Sequence, residues 1–296
     1  MRILLDSRDL IDLLEHQRPT TVANFDAYLR AENHQIVLCF TNVKELAGPI
    51  GAGAEYANVE PYFQSLERLP LVYVKESTIV ASEIRSAVAA FSAGGEYQDC
   101  SPYVPSWDRT LGVAPGQHDA AAENLDLSLG QSVKAISCTN PAAFAPIPIR
   151  QVEALQEIFR KDRVLLRHGK APAKQNFVDS LKRHAERHHV PLPDARVEEF
   201  AFWLYQNPNR CPGLRLGHEI QRAILANEND NPPGSDVFDR ALIYALPYVD
   251  ALTLDRRMRH YCAGASRKIV RFGGVHNYND RVYENVASIM ARHRRG

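Results

Sequence analysis

The sequence predicts an α/β fold with a central parallel sheet that is interrupted by a mostly helical insertion. Short apolar runs alternate with segments of helical spacing at both ends of the chain, and this rhythm stops near Ser92 and resumes near Asp236. Strands that alternate with helices usually pair in parallel through right-handed crossovers. We therefore expect one discontinuous α/β domain over 1–91 and 234–296, around an insertion at 92–233.

The first part of this domain is predicted to consist of strands separated by helices. Its strands are apolar runs rich in strand-forming residues. They are Arg2–Leu5, Ile36–Phe40 and Leu71–Val74, and the helices between and after them are 10–14, 20–33, 43–47, 59–68 and 77–91. This order favours parallel pairing of neighbouring strands.

The insertion is rich in Gly, Pro, Ser and Ala up to residue 150, which is typical of loops, and helical after it. Its predicted helices include Val152–Phe159, Phe177–His188, Val197–Tyr205 and His218–Ala226. The returning α/β segment is predicted as a helix over 236–246, a strand near Asp250–Thr253, a short helix over 255–262, a strand at Lys268–Phe272 and a terminal helix over 279–293.

Composition limits the class of protein. Lys+Arg and Asp+Glu both number 35, so nucleic-acid binding would need a local basic patch rather than a basic molecule. The five cysteines are scattered and form no CxxC pair, which disfavours a disulfide framework or a zinc site and favours a cytoplasmic location. The N-terminal apolar run is too short for a signal peptide, and no segment has the length of a membrane span.

Four acids are expected at one edge of the sheet. Asp6 ends the first strand, Glu45 lies in the first turn after the second, Asp236 opens the helix after the insertion, and Asp255 follows the strand ALTL. Ligands in open α/β sheets lie outside the carboxyl ends of the strands. Clustered carboxylates raise one another's pKa and favour a bound cation. Oxygen donors of this kind are preferred by Mg²⁺ and Mn²⁺, which can activate water and stabilise charge on a phosphodiester.

The motif order resembles the PIN domain, a superfamily of metal-dependent nucleases. The matching pieces are RILLDSRDL, VLCFTNVKELAG, GSDVFDRALIYALPYVDALTLDRRM and KIVRF. The resemblance covers 1–91 and 234–296. It implies a three-layer α/β/α arrangement, a Mg²⁺ or Mn²⁺ cofactor, and cleavage of RNA or sometimes of structured DNA.

The resemblance also assigns roles to residues. Asp6, Glu45, Asp236 and Asp255 would be the catalytic, metal-binding acids. The third acid of the family usually lies one residue closer to the T-x-D motif than Asp236 does, so Asp239 could share or take its role. The long insertion also departs from simple family members and leaves substrate access open.

Further residues near these acids could contact substrate. Ser7 and Thr41 could hydrogen-bond a phosphate or a metal-bound water, and Arg256 and Arg257 could hold the phosphate backbone. Each acid alone has a simpler explanation, because Asp and Glu are also favoured at helix N-termini. The basic stretch 182–189 is interpreted first as a solvated helix face, with a phosphate-contacting arm as the alternative.

The sequence thus predicts a cytoplasmic endonuclease with RNA as the favoured partner. Two alternatives remain open: a catalytically inactive PIN-like binding or scaffold module, and a phosphohydrolase acting on small phosphates. A homodimer and a toxin paired with an antitoxin are further hypotheses, and no residue in the sequence supports either one.

Overall fold

A mixed six-stranded sheet forms the centre of the α/β fold. The computed structural model describes residues 1–15, 20–93, 100–107, 127–167, 173–227, 230 and 236–293. The strands are β1 (Arg2–Leu4), β2 (Gln35–Cys39), β3 (Leu71–Val74), β4 (Tyr103–Val104), β5 (Ala251–Thr253) and β6 (Val282–Tyr283). Their order across the sheet is β4-β3-β2-β1-β5-β6.

Helices connect and cover the strands. The first half of the chain contains α1 (Ser7–Leu14), α2 (Val22–Ala31), α3 (Phe40–Leu46), α4 (Gly48–Gly51), α5 (Glu60–Leu66), α6 (Glu76–Ala93) and α7 (Leu129–Thr139). The second half contains α8 (Ile149–Arg167), α9 (Ala173–Arg187), α10 (Val197–Gln206), α11 (Pro212–Ala226), α12 (Asp236–Ala245), α13 (Arg256–Arg271) and α14 (Val286–His293). Among the described residues, no helix has the length and apolar character needed to cross a membrane.

The prediction of an all-parallel sheet is wrong at one edge. Strands β3, β2, β1, β5 and β6 pair in parallel, but β4 runs antiparallel to β3. In that pair Tyr103 lies opposite Val74, and the Tyr103 hydroxyl donates a hydrogen bond to the carbonyl of Tyr248. Because β4 belongs to 92–233, the predicted insertion supplies an edge strand to the sheet.

The predicted strand Lys268–Phe272 is also wrong, since α13 continues through it to Arg271. Met258, Cys262, Ala265 and Ile269 are all buried on one side of this helix at helical spacing. Val270, beside Ile269, is 46% exposed, so only one residue of the apolar pair that suggested a strand lies inside the core. A short apolar run cannot by itself distinguish a strand from a helix.

The end of the chain also differs from the prediction. The last strand is β6, which pairs with β5, and the terminal helix begins at Val286 rather than near residue 279. Residues Tyr278–Arg281, directly before β6, form a single turn of 3-10 helix. The other predicted helices and strands are present, with shifted ends, wherever they fall in described residues.

Both faces of the sheet are buried against helices. Ile3 and Ile36 point into a core with residues of α1, α2, α5 and α14, whereas Leu4 and Val37 point into a core with residues of α11, α12 and α13. This alternation follows from the two-residue period of a strand. It explains why these strands are continuous apolar runs.

Residues of the segment 92–233 are part of these cores. Trp107 is 1% exposed, lies in the same core as Ile3, and stacks against Phe40 with ring centroids 6.3 Å apart. A third core joins α6 to α9 and α10 through residues such as Ile84 and Phe200. The division into two domains remains a prediction, and this packing places the segment directly against the sheet.

Candidate active site

Hydrogen bonds between residues at or just after the carboxyl ends of β1, β2 and β5 join these three strand ends. The backbone N–H of Asp6 donates to the Thr253 hydroxyl at 2.8 Å, which ties the end of β1 to the end of β5. The side-chain amide of Asn42 donates to the Leu5 carbonyl at 3.0 Å and to the Ser7 hydroxyl at 3.3 Å. Buried polar groups therefore join the strand ends at the edge predicted for the acids.

Asp6 and Glu45 lie close enough at this edge to affect each other electrostatically. Burial first, and then the charges of Asp9 and Glu45, raise the pKa of Asp6 from 3.8 to about 6, and the backbone amides of Ser7 and Arg8 oppose the shift. Asp6 occupies the N-cap of α1, and its pKa still rises because burial outweighs these two amides. Its carboxylate is therefore not explained by capping alone.

Glu45 is held by Ser7, which the sequence predicted as a substrate contact. Burial raises the pKa of Glu45, while a hydrogen bond from the Ser7 side chain and the charge of Lys44 lower it. Ser7 is itself 3% exposed. It therefore positions the carboxylate of Glu45 and is not a surface group.

Asp9 is an acid at this edge that sequence reasoning missed. It is 8% exposed and is the largest electrostatic influence on Asp6 after burial. Its spacing from Asp6 is i,i+3, which places two residues on the same side of a helix turn. That spacing is the signal that could have identified it.

The acids of the second half of the chain lie on the α12–α13 side of the edge. Asp239 and Asp255 both add to the rise in the pKa of buried Cys262 to about 12, of which burial is the main cause. Asp255 is exposed and is the N-cap of α13, where its carboxylate accepts a hydrogen bond from the Met258 N–H at 2.6 Å. Asp236 opens α12, and its side chain lies outside the described residues.

We expect Asp255→Ala to lower the free energy of unfolding by about 1 kcal/mol, because one N–H of the first turn of α13 loses its acceptor. Asp255→Ser should recover most of this loss, since serine also caps helices well. Urea denaturation of the three proteins would measure the difference. An alanine variant as stable as the parent would contradict the capping role.

The predicted acids do not form a complete metal-binding group in the described residues. Across 1–15, 20–93, 100–107, 127–167, 173–227, 230 and 236–293, no three His, Cys, Asp or Glu side chains are grouped so that they could hold one ion. The described acids instead fall into Asp6, Asp9 and Glu45 on one side and Asp239 and Asp255 on the other. Their roles as ligands remain predictions.

Two of the residues predicted to contact substrate already hydrogen-bond carboxylates of the protein. Glu76 accepts hydrogen bonds from the Thr41 N–H at 2.8 Å and the Thr41 hydroxyl at 3.1 Å. Arg257 donates to both carboxylate oxygens of Asp230, at 3.0 and 2.9 Å. Arg256 is exposed at the start of α13. Of the predicted arginine contacts, Arg256 is therefore the better placed to reach a ligand.

Comparison with protein-family models, with curated proteins and with solved structures finds no match for this chain. The candidate site therefore depends on its residues and on their geometry.

Proposed function

We propose that the chain is a divalent-metal-dependent endonuclease with a PIN-like, three-layer α/β/α fold, and that RNA is its favoured substrate. The observation that carries the proposal is Asp6. Its carboxyl group follows a central strand and has its pKa raised to about 6 by burial, Asp9 and Glu45, although the backbone amides of Ser7 and Arg8 oppose the rise. Such a carboxylate is better stabilised by a cation than by water.

The chemistry of the donors fits Mg²⁺ or Mn²⁺. Asp6 and Glu45 would hold the ion from the β1 and β2 side, and Asp255 with Asp239 or Asp236 from the α12–α13 side. Carboxylate oxygens are the preferred ligands of these hard cations. When bound, the ion supplies positive charge that activates water and stabilises the phosphodiester during in-line displacement.

The neighbouring residues support the same function through position and charge. Ser7 orients Glu45 through its hydrogen bond, and Asn42 fixes Ser7 and the end of β1. Arg256 is exposed and next to Asp255, where its guanidinium would orient a phosphate of the substrate strand.

A second candidate is a PIN-like module that binds nucleic acid without cleaving it. It is favoured by the contacts that already engage three predicted site residues: the helix cap made by Asp255, the hydrogen bond from Thr41 to Glu76 and the ion pair of Arg257. A phosphohydrolase acting on small phosphates is the remaining alternative. The three differ in metal binding and in substrate, so one set of measurements separates them.

The test is cleavage of end-labelled single-stranded and hairpin RNA with Mn²⁺, by the parent protein and by Glu45→Gln. We expect cleavage by the parent that is lost in EDTA, and a loss of about a hundredfold in the variant because a ligand of the ion is removed. Asp26→Asn is the matched control, since Asp26 is a carboxylate that pairs with Arg30 at 2.8 Å on α2.

The outcomes separate the candidates. Cleavage that is equal in the parent and in Glu45→Gln would contradict the assigned site. Mn²⁺ binding by calorimetry without cleavage of RNA would favour the binding module, and hydrolysis of nucleoside monophosphates alone would favour the phosphohydrolase. Absence of Mn²⁺ binding would contradict both enzymatic functions.

A further inference from the structure

Cations from two helices converge on one buried carboxylate away from the candidate active site. Glu219 of α11 is 1% exposed, and its carboxylate lies 3.1 Å from an Nη of Arg215, 3.7 Å from an Nη of Arg222 and 3.7 Å from Nζ of Lys268. Arg215 is as deeply buried as Glu219, whereas the side chains of Arg222 and Lys268 are 26% and 47% exposed. One carboxylate thus faces three positive charges.

Several polar atoms in this cluster lack hydrogen bonds within the part of the chain that is described. They are Nε and Nη2 of Arg215, Nε2 of His218 and both carboxylate oxygens of Glu219. The ion pair of Arg215 and Glu219 is short but not aligned as a hydrogen bond. Buried polar groups normally have partners, so this cluster is not satisfied by the protein atoms around it.

The electrostatic environment of the cluster is positive. His218 is 5% exposed, and its pKa is lowered to about 3, first by burial and then by Arg215, Arg222, Arg183 and Lys268. Arg183 belongs to α9 and is exposed. Because the net charge of the chain is zero, this is the kind of local basic patch that contact with a polyanion requires.

An exposed aromatic ring borders the cations. Phe272 is 45% exposed and directly follows α13, four residues after Lys268. Its ring centroid lies 5.2 Å from Cζ of Arg215 and 5.4 Å from the ring of Tyr205. Cations that contact phosphates, combined with an exposed ring on which a base can stack, are typical of surfaces that bind single-stranded nucleic acid.

We propose that the α11–α13 patch, formed by Arg183, Arg222, Lys268 and Phe272, binds a single-stranded segment of nucleic acid. The exposed cations contact its phosphates and Phe272 stacks on a base. The patch is a separate surface, because Lys268 is thirteen residues along the chain from Asp255, about 20 Å at the rise of an α-helix. This inference rests on the proposed function in one respect: the strand bound by the patch is taken to be the strand that reaches the acids.

The test is fluorescence anisotropy with a labelled single-stranded RNA in EDTA, so that binding is measured without cleavage, over a range of salt concentrations. Lys268→Gln combined with Arg222→Gln should weaken binding about tenfold and reduce the slope of log K against log salt by about 1.4, or 0.7 for each lost phosphate contact. Lys134→Gln is the matched control. Lys134 is also a helix lysine near an aromatic ring, 5.9 Å from the centroid of Tyr56, but it lies on α7.

Phe272→Leu separates nucleic acid from other polyanions. It keeps an apolar contact with Tyr205 but removes the stacking surface, so RNA binding should weaken about tenfold while binding of inorganic polyphosphate stays unchanged. Thermal melts would verify that each variant is folded. If the parent binds polyphosphate and RNA equally and Phe272→Leu changes neither, the patch is a general anion site and the assignment is wrong.

The inference and the proposed function fail separately. If the double variant binds RNA with the affinity and salt slope of the parent while Glu45→Gln has lost cleavage, the patch is wrong and the nuclease remains. If the double variant and Phe272→Leu both lose RNA binding but the parent never cleaves RNA, the patch stands and the nuclease does not. If the parent does not bind single-stranded RNA at all, the patch is contradicted.

Discussion

Replacing Asp6 with asparagine is expected to remove Mn²⁺-dependent cleavage of RNA and to stabilise the metal-free protein at neutral pH. Cleavage should fall by about a hundredfold or more, because the carboxylate that we propose as a ligand of the ion loses its charge. Stability should rise because the Asp6 carboxylate is charged in a partly buried place near Asp9 and Glu45. A cost in stability of this kind is expected for the proposed catalytic role of Asp6, since active sites hold charges that the fold alone does not favour.

The pH dependence shows why Asp6→Asn should stabilise the metal-free protein. Asp6 has a pKa of about 6 in the folded state against the ordinary value of 3.8, so the folded state binds more protons between these values. Stability contributed by this group therefore falls as pH rises from about 4 to 6, and the full cost is present above pH 6. Allowing for partial solvent screening, the cost is about 2 kcal/mol.

Thermal unfolding of the parent and Asp6→Asn at pH 4 and pH 8 measures this cost. The variant should be more stable than the parent at pH 8, and the difference should shrink at pH 4. Added Mn²⁺ should stabilise the parent but not the variant, because binding to the folded state alone raises stability. A parent that Mn²⁺ does not stabilise, or an equal stability difference at both pH values, would contradict the role of Asp6.

Local pattern was sufficient for most of the fold because the strands and helices have strong periodicity. The run after Arg2 is buried on both faces, so it is apolar throughout and easily recognised as a central strand. Asp6 follows it directly, and the carboxyl-end rule identified the edge where Asp6, Asp9 and Glu45 influence one another. The misread strand at Lys268–Phe272 had only two adjacent apolar residues before Arg271, which is too few to define a period.

Partners that are distant in sequence could not be predicted, because they depend on tertiary packing. Glu76 looks like an ordinary glutamate at a helix start, yet it is buried and accepts hydrogen bonds from the first residues of α3. Arg257 looks available for a phosphate but is held by Asp230. Neither the local spacing nor the charge of these residues indicates which group they contact.

Glu83 is the clearest example, and its removal is expected to have the largest effect on stability. It lies on α6, is fully buried, and accepts hydrogen bonds from the backbone N–H groups of Gly213 and Leu214 and from the Tyr248 hydroxyl, at 2.7, 2.9 and 2.6 Å. It therefore caps α11 from another helix. Gly213 permits this approach, since a Cβ there would lie 2.9 Å from the Glu83 carboxylate.

Glu83→Ala should lower the free energy of unfolding by about 3–5 kcal/mol at pH 5, because three buried donors lose their acceptor and a cavity forms. Burial raises the pKa of Glu83 from 4.5 to about 7, so in the parent the folded state binds more protons than the unfolded state between these values. The parent therefore loses stability as pH rises from 4.5 to 7, and the cost of the substitution should be smaller at pH 8 than at pH 5. Urea denaturation at both pH values measures this cost.

Glu186→Ala is the control for this prediction. Because it lies on the exposed face of α9, it should change stability by no more than about 0.5 kcal/mol. A cost for Glu83→Ala that is as small as this control, or that grows with pH, would show that Glu83 does not hold the start of α11 in the way its contacts imply.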